Sequence, residues 1–129
     1  MQLTVDLVPA PGMPGVTVVA PAGEIDLATA PELREGLQQA ESAAVEGLLV
    51  DLRGVGFIDS TGIGELVGCH RRCREAGRPV VFIVPDGTTR KILTVTGMDG
   101  VFDMHRDEDS ALLAIGGTHR GDAVRDPDD

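Results

Sequence analysis

The hydrophobic and polar positions of the chain predict two strands followed by a helix in its first third. Residues 3–8 alternate apolar and polar side chains, residues 16–20 resume an apolar run, and residues 11–15 between them are rich in proline and glycine, which predicts a β-hairpin with a long turn. Apolar side chains then recur at helical intervals over about residues 30–44. Thr29, three residues before a glutamate, has the spacing of a capping box and predicts the start of this helix.

The middle of the chain predicts two buried strands separated by a second helix. The nearly continuous apolar runs of residues 48–52 and 79–84 are typical of strands covered on both faces, so the first of them should lie in the middle of the sheet. The second helix begins after Asp59 and ends at Gly77. One stripe of this helix is apolar and should face the core; it consists of Ile63, Leu66, Cys69, Cys73 and Ala76.

The last third predicts a short helix, an edge strand and a final helix. The short helix covers about residues 88–96, and residues 101–104 form the edge strand. The final helix begins with three acidic residues from Asp107 onward, where the helix dipole favours them, and ends at Gly116 and Gly117.

The pattern as a whole predicts an α/β fold with a small mixed sheet of about five strands covered by about four helices. A chain of 129 residues with an aliphatic core has room for one domain, which we place at residues 1–116. Residues 117–129 are predicted to be a flexible acidic tail.

The charge and the apolar runs limit the classes of partner. A formal net charge of −10 argues against direct nucleic-acid binding, which needs clustered lysines and arginines facing phosphates. No apolar run approaches the length of a membrane-spanning helix, and the first residues lack the pattern of a secretory signal. Two cysteines are too few for a disulfide framework. We therefore expect a soluble cytoplasmic protein without direct nucleic-acid or membrane partners.

The candidate site is the turn that opens the second helix. In Asp59-Ser60-Thr61-Gly62 an apolar run ends in hydroxyl side chains at a helix start, where the first backbone N–H groups lack partners and the helix dipole is positive. A phosphoryl group on Ser60 would be accommodated there, and it would bring about −1.5 to −2 charges beside the carboxylate of Asp59. Since Asp, Ser and Thr are also favoured helix caps, an ordinary helix start explains the same residues.

Two features favour the functional interpretation of this turn. It follows a predicted buried strand, and Gly62 and Gly64 lie at the start of the helix, where each costs about 1 kcal/mol relative to alanine. We interpret these glycines as room for the close approach of a partner or a phosphate. The loop of residues 23–26, at the end of the second strand, is either a polar connection or a second part of the same surface.

The enzymatic alternatives lack their motifs. A serine-hydrolase elbow requires Gly-x-Ser-x-Gly, but Ile58 occupies the first glycine position, and His70, His105 and His119 are poorly placed to act as the base. A P-loop is excluded because no Gly-Lys-Ser/Thr sequence is present, and Val67 replaces the third glycine of a dinucleotide fingerprint. We expect no catalytic residue, no cofactor and no metal ion.

Two clusters on the second helix have structural interpretations. Residues 69–73 offer two cysteines and a histidine to a metal ion, but both cysteines fall on the apolar stripe, so core packing is the better account. The four arginines at positions 71, 72, 74 and 78 form either a solvated helix face or a rim that steers an acidic partner. The sequence leaves these two interpretations of the arginines open.

Four segments in fixed order carry a resemblance to a known family. They are residues 23–33 (GEIDLATAPEL), 51–52 (DL), 57–64 (FIDSTGIG) and 94–102 (TVTGMDGVF). Together they resemble the STAS domain of bacterial anti-sigma factor antagonists, the anti-anti-sigma factors, over about residues 3–115. The resemblance implies a single STAS-like domain, and the glycine-rich start of the second helix and the acidic tail are the only departures from the pattern.

The resemblance implies regulation of transcription by partner switching, as in a stress response. In such proteins the unphosphorylated form captures an anti-sigma factor and so frees a sigma factor. The anti-sigma factor is also an ATP-dependent serine kinase that phosphorylates the serine after the motif's aspartate, here Ser60, and a separate phosphatase restores binding. Thr61 is a secondary phosphosite candidate. The implied partner-binding residues are Asp26, Asp59, Thr61, Gly62, Ile63 and Gly64.

Two alternatives stay open beside this hypothesis. The first is a STAS scaffold within a larger sensory assembly, which would use the same surface without releasing a sigma factor. The second is a small serine-dependent enzyme, whose turnover would depend on Ser60. A monomer is the simplest expectation, because no extra apolar helix face is evident in the pattern.

Overall fold

The structure, a computed structural model, describes the backbone of residues 3–124 and the side chains of residues 3–117. Six strands and four helices follow one another in this part of the chain. The strands are β1 (Thr4–Ala10), β2 (Met13–Ile25), β3 (Gly47–Asp51), β4 (Gly54–Ile58), β5 (Val80–Ile83) and β6 (Asp103–His105). The helices are α1 (Ala30–Ala43), α2 (Ser60–Glu75), α3 (Thr88–Val95) and α4 (Glu108–Val124), with a 3-10 turn at Met98–Gly100.

The strands form one mixed sheet with β3 near its centre. The order is β1-β2-β3-β5-β6, with β1 antiparallel to β2 and the other neighbours parallel. β4 also pairs in parallel with β2, just beyond the stretch of β2 that pairs with β3. β4 therefore continues the line of β3 along β2 after an interruption at residues 52–53. Its pairing ends with Ile58 opposite Ile25, so the carboxyl ends of β2 and β4 lie side by side.

Helices α1, α2 and α3 cover one face of the sheet, and α4 covers the other. Along β3, Leu48 and Val50 join the larger core, whereas Leu49 joins the smaller one, as the alternation of strand side chains requires. The larger core receives Leu33 and Leu37 from α1, Leu66 from α2 and Leu93 from α3. The smaller core receives Ala111 and Ile115 from α4. These layers confirm the predicted α/β fold and the central position of the strand at residues 48–52.

The strands differ from prediction in three places. The hairpin turn is short rather than long, because Gly12 takes a positive φ of 72° and β2 resumes at Met13. The sheet has a sixth strand, β4, whose two glycines hid the strand pattern. The last strand begins at Asp103 rather than at residue 101, because Phe102 is buried in the larger core after the 3-10 turn.

The end of the final helix also differs from prediction. α4 runs through Gly116 and Gly117 and continues to Val124. A glycine stops a helix by taking a positive φ, and neither of these glycines does so. Gly116 is buried instead, and a Cβ at this position would lie 3.6 Å from the Sδ of Met13. The predicted tail is therefore helical as far as Val124, and its last part, residues 125–129, lies outside the described residues.

Candidate functional site

Ser60 is the first residue of α2 and its side chain is exposed. Asp59 caps the helix: its backbone is extended, with φ of −107° and ψ of −176°, and its Oδ1 accepts the N–H of Gly62 at 3.1 Å. The first helical bond joins the N–H of Ile63 to the carbonyl of Asp59 at 2.9 Å. The predicted helix start is confirmed, and it presents a serine hydroxyl to solvent.

Two backbone donors beside the Ser60 hydroxyl are open. Within residues 3–124, the N–H groups of Ser60 and Thr61 have no hydrogen-bond acceptor, and the Ser60 hydroxyl bonds to no other residue. The peptide dipoles leave partial positive charge at this end of α2, which favours an anion. A phosphoryl group on Ser60 would therefore have two backbone N–H donors nearby that are not already used in hydrogen bonds.

Asp26 organises the neighbouring loop between β2 and α1. Its Oδ1 accepts the N–H groups of Ala28 at 2.9 Å and of Thr29 at 3.0 Å. The Thr29 hydroxyl, which is buried, accepts the N–H of Asp26 at 3.0 Å and donates to the carbonyl of Glu24 at 2.8 Å. The predicted capping box at Thr29 is wrong, because Thr29 has a helical backbone and its hydroxyl bonds back into the loop.

The sheet brings the two acidic loops together. Asp26 and Asp59 each follow one member of the Ile25–Ile58 pair that ends the β2–β4 ladder. The N–H of Asp59 donates to the carbonyl of Ile25 at 3.0 Å, so the two loops share a hydrogen bond. Both aspartates are half-buried, and the hydrogen bonds that each accepts within its own loop use Oδ1. The loop at residues 23–26 and the turn at Ser60 thus form one continuous surface.

Gly62 and Gly64 face different surroundings. A Cβ on Gly62 would lie 2.3 Å from Cγ2 of Ile25 and 2.9 Å from Cγ1 of Ile58, so this glycine lets α2 rest on the ends of β2 and β4. A Cβ on Gly64 would meet nothing within 4 Å, and this residue is exposed. Ile63, between them, is buried in the larger core. Of these three residues, only Gly64 lies open to a partner.

Known proteins are similar to this one in sequence, over most of the chain, and in fold. The STAS domain family matches residues 8–111, which is most of the sequence. The chain belongs to the STAS-domain family. Curated relatives of this STAS protein include the anti-sigma-F factor antagonist RsfB of Mycobacterium tuberculosis, 31% identical over 105 residues, which are 80% of this chain and 84% of RsfB. The anti-sigma-B factor antagonist of Listeria monocytogenes is 30% identical over 87 residues, which are 67% of this chain and 76% of that protein.

Solved structures agree with this membership. An anti-sigma factor antagonist from Mycobacterium paratuberculosis superposes with a TM-score of 0.75 at 30% identity, covering 88% of this chain and 94% of that chain. SpoIIAA in its unphosphorylated form superposes with a TM-score of 0.70 at 22% identity, covering 88% and 97%, a likeness of fold. The resemblance found in the motifs is confirmed: the chain is a member of the anti-sigma factor antagonist family, which is generally regulatory rather than enzymatic.

Two exposed apolar side chains lie beside the acidic loops of this STAS domain, and sequence analysis missed both. Leu27, directly after Asp26, is 75% exposed. Phe57 on β4 is 39% exposed and is paired in register with Glu24. Leu27 lies in the short connection between β2 and α1, and a large aliphatic side chain in such a connection was the available signal. Exposed apolar groups rimmed by polar ones are typical of protein interaction sites.

Two arginine–carboxylate pairs hold α2 against α1. Arg34 bonds Glu65 through Nε and Nη2, the shortest contact being 2.6 Å, and Arg72 bonds Glu41 through the same two nitrogens at 2.8 and 2.9 Å. These hydrogen bonds raise the pKa of both guanidinium groups. The helix that presents Ser60 is therefore tied to its neighbour at two separate points along its length.

The two cysteines of α2 belong to the core. Cys69 and Cys73 are free thiols that are 1% and 2% exposed, and the hydrogen bond between them, together with burial, raises the pKa of Cys69. Within the described residues no three metal-binding side chains gather into a site. His70 lies ten residues along α2 from Ser60, about 15 Å by helical rise, so it is no base for that hydroxyl. None of the helices described is both long and apolar enough to span a membrane.

Proposed function

We propose that this STAS protein is an anti-sigma factor antagonist whose binding is switched by phosphorylation of Ser60. Unphosphorylated, it holds an anti-sigma factor that is also a serine kinase, and a sigma factor is freed. Phosphorylated, it releases that partner, and a phosphatase restores binding. The observation that carries the proposal is the exposed Ser60 hydroxyl at the start of α2, between two open backbone donors and the loops of Asp26 and Asp59.

The relatives support the first half of this proposal. RsfB and the Listeria protein are named antagonists of anti-sigma factors, and both align with most of this chain. SpoIIAA, which shares the fold, has been solved in unphosphorylated and in phosphorylated forms. The assignment to Ser60 itself rests on the residues of this chain.

The proposed partner surface combines acidic and apolar groups. Its acidic part is Asp26 and Asp59, and its apolar part is Leu27, which exposes most of its side chain. Aliphatic and aromatic side chains buried at the centre of an interface supply most of its affinity, and charges set its orientation. Ser60 and Gly64 complete the contact. Buried Gly62 and Ile63 support it from below, and half-buried Thr61 borders it.

Electrostatic repulsion is sufficient for the switch without a change of fold. A phosphoryl group adds about −1.5 to −2 charges next to two carboxylates that already face the partner. Like charges brought together across an interface cost several kcal/mol, and about 1.4 kcal/mol corresponds to a tenfold loss of affinity. Since the N–H groups of Ser60 and Thr61 can donate hydrogen bonds to the phosphate oxygens, we expect the domain to stay folded.

A binding series with an anti-sigma factor encoded in the same genome tests the switch. The series compares wild type with Ser60→Ala, Ser60→Asp and the control Ser42→Asp, which adds the same charge at an exposed position near the end of α1. Calorimetry should give equal affinity for wild type, Ser60→Ala and Ser42→Asp, and a loss of about tenfold or more for Ser60→Asp. Equal binding by both acidic variants would contradict the switch and favour the scaffold alternative.

Mass spectrometry after incubation with that partner and ATP tests the site. The expected phosphopeptide carries the group on Ser60, so Ser60→Ala abolishes incorporation, whereas Thr61→Ala keeps it. The protein alone with ATP should incorporate nothing, because it is the substrate and not the enzyme. Incorporation that survives Ser60→Ala and disappears with Thr61→Ala would move the site by one residue and refute the assignment.

A further inference from the structure

A pocket of about 360 Å³ lies at the opposite end of α2, away from Ser60. Its lining includes the basic residues His70, Arg74 and Arg78 and the apolar residues Pro79, Val80 and Val101. The volume falls within the range of about 300–1,000 Å³ that is usual for small-molecule sites. The proposed partner switch uses none of these residues, so the pocket is a separate feature of the molecule.

Two of the arginines near the end of α2 have no carboxylate partner among the described side chains. Residues 71–78 hold four of the eleven lysines and arginines of a chain whose net charge is −10. Arg72 is paired with the carboxylate of Glu41. Arg78 donates at 2.8 Å to the backbone carbonyl of Glu41, which is neutral, and Arg74 has no carboxylate within 4 Å among the side chains described. Two guanidinium charges without a carboxylate partner therefore line the same pocket.

The apolar part of the lining suits an apolar group. Val101 is 43% exposed at the pocket, although it is an aliphatic side chain next to the buried Phe102. The ring of His70 packs edge-on against Phe102 with 5.4 Å between the ring centroids, which fixes the imidazole in the wall. One carboxylate, that of Asp103, also lines the pocket, and its Oδ1 lies 2.8 Å from Nε2 of His105 on the same strand.

We propose that this pocket binds a small organic oxyanion: a carboxylate or a phosphate carried on an apolar or aromatic body. Arg74 and Arg78 hold the anionic group, because the planar guanidinium matches the oxygens of a carboxylate or a phosphate. Pro79 and Val101 pack against the body of the ligand. Arg74 lies fourteen residues along α2 from Ser60, about 21 Å by helical rise, so ligand and partner bind at separate places.

Amide NMR titrations of the full chain with four probes test the site. Phenyl phosphate and benzoate present the two anions on an aromatic body, benzyl alcohol is the neutral control, and inorganic phosphate lacks the body. We expect saturable shifts at His70, Gly77 and Val101 with the two aromatic anions and none with benzyl alcohol. Their relative affinities identify the preferred anion. Equal affinity for inorganic phosphate and phenyl phosphate would overturn the role of the apolar walls.

A matched pair of variants separates the pocket from general charge attraction. Arg74→Gln and Arg71→Gln remove the same charge from exposed positions of α2, but only Arg74 lines the pocket. Arg74→Gln should weaken the binding of phenyl phosphate or benzoate about tenfold or more, and Arg71→Gln by about twofold or less. Val101→Asp, which adds a negative charge at the wall, should abolish binding, while thermal unfolding checks that each variant is folded.

Three results would overturn the proposal. Equal losses in Arg74→Gln and Arg71→Gln would show attraction to the basic face rather than a site. No saturable shift with any of the aromatic anions, or shifts centred elsewhere, would remove the pocket as their binding place. Binding of polyglutamate in the absence of small-anion binding would assign the arginines to an acidic polypeptide instead.

Discussion

The different roles of Gly62 and Gly64 give a sharp test of how α2 is seated. Both residues lie near the start of the same helix, and replacing either by alanine adds one methyl group. At Gly62 that group would overlap Cγ2 of Ile25 at 2.3 Å and crowd Cγ1 of Ile58 at 2.9 Å. At Gly64 it would meet nothing within 4 Å. The pair isolates the contact between α2 and the strand ends from the general effect of glycine on a helix.

The two substitutions should change stability in opposite directions. Alanine at Gly64 stabilises the folded state by about 0.5–1 kcal/mol, because it reduces the entropy of the unfolded chain and favours the helix. Alanine at Gly62 gains up to the same amount but overpacks two buried isoleucines whose branched side chains are stiff, at a cost of about 1–3 kcal/mol or more. The helix gain is common to both variants, so they should differ by the overpacking cost of about 1–3 kcal/mol, and Gly62→Ala should show a net loss of up to about 2 kcal/mol.

Urea and thermal unfolding followed by circular dichroism measure this difference. For a domain of this size, 1 kcal/mol corresponds to about 3–5 °C in Tm, so Gly64→Ala should unfold clearly above Gly62→Ala. Gly62→Ala should also weaken partner binding, because α2 must lift away from Ile25 and carry Ser60 with it. Equal stability of the two variants would refute the claim that packing requires a glycine at position 62. It would instead favour the interpretation from sequence, in which Gly62 leaves room for a partner or a phosphate.

Three further predictions concern the loops and helices around the site. Thr29→Val should cost about 1–3 kcal/mol, because the Glu24 carbonyl near the end of β2 and the N–H of Asp26 lose the buried hydroxyl. Thr96→Val, at an exposed helix end, should change the free energy of unfolding by about 0.5 kcal/mol or less in the same urea series. The thiols of Cys69 and Cys73 should resist Ellman's reagent in the native protein and react at the rate of unfolding, and rapid native labelling would contradict their burial. The carboxylate of Asp107 accepts the backbone N–H of Ser110 at the start of α4, and this hydrogen bond lowers the pKa of Asp107. The contact should therefore stabilise the protein at neutral pH and be lost as the pH falls below about 4. An NMR titration of the carboxyl groups checks this prediction.

The layers of the fold could be predicted because local patterns set them. The continuous apolar run at residues 48–52 identified a central strand, and the stripe through Leu66 and Cys69 identified the buried side of α2. Local patterns failed where a glycine had two possible roles. Gly54 interrupts the pattern of β4, and Gly116 predicts a helix end although it lies next to Met13 inside α4. Only the conformation and the neighbours of a glycine distinguish these roles.

The candidate site could be predicted in its residues but not in its geometry. Asp59 and Ser60 were identifiable because helix caps are local. The approach of Asp26 to Asp59 depends on the parallel pairing of β2 with β4, a contact between distant parts of the chain that no local pattern specifies. The capping box predicted at Thr29 is wrong for a related reason: the Thr29 hydroxyl donates to the carbonyl of Glu24 on the preceding strand, a contact that the capping pattern does not reveal.

The residues of this surface divide into those that hold it and those that are free to meet a partner. The Oδ1 atoms of Asp26 and Asp59 accept backbone N–H groups of their own loops, and Gly62 lets α2 pack on the strand ends. Substitutions at these three residues should therefore change both stability and partner binding. The side chains of Leu27 and Ser60 are exposed and form no hydrogen bond or ion pair with the described residues, so truncating either side chain should leave the free energy of unfolding unchanged. If Leu27→Ala lowers the partner affinity while the free energy of unfolding stays constant, the loss is direct evidence that Leu27 contacts the partner. The same loss of affinity in Asp26→Asn must first be corrected for the change in loop stability before it is evidence about the interface.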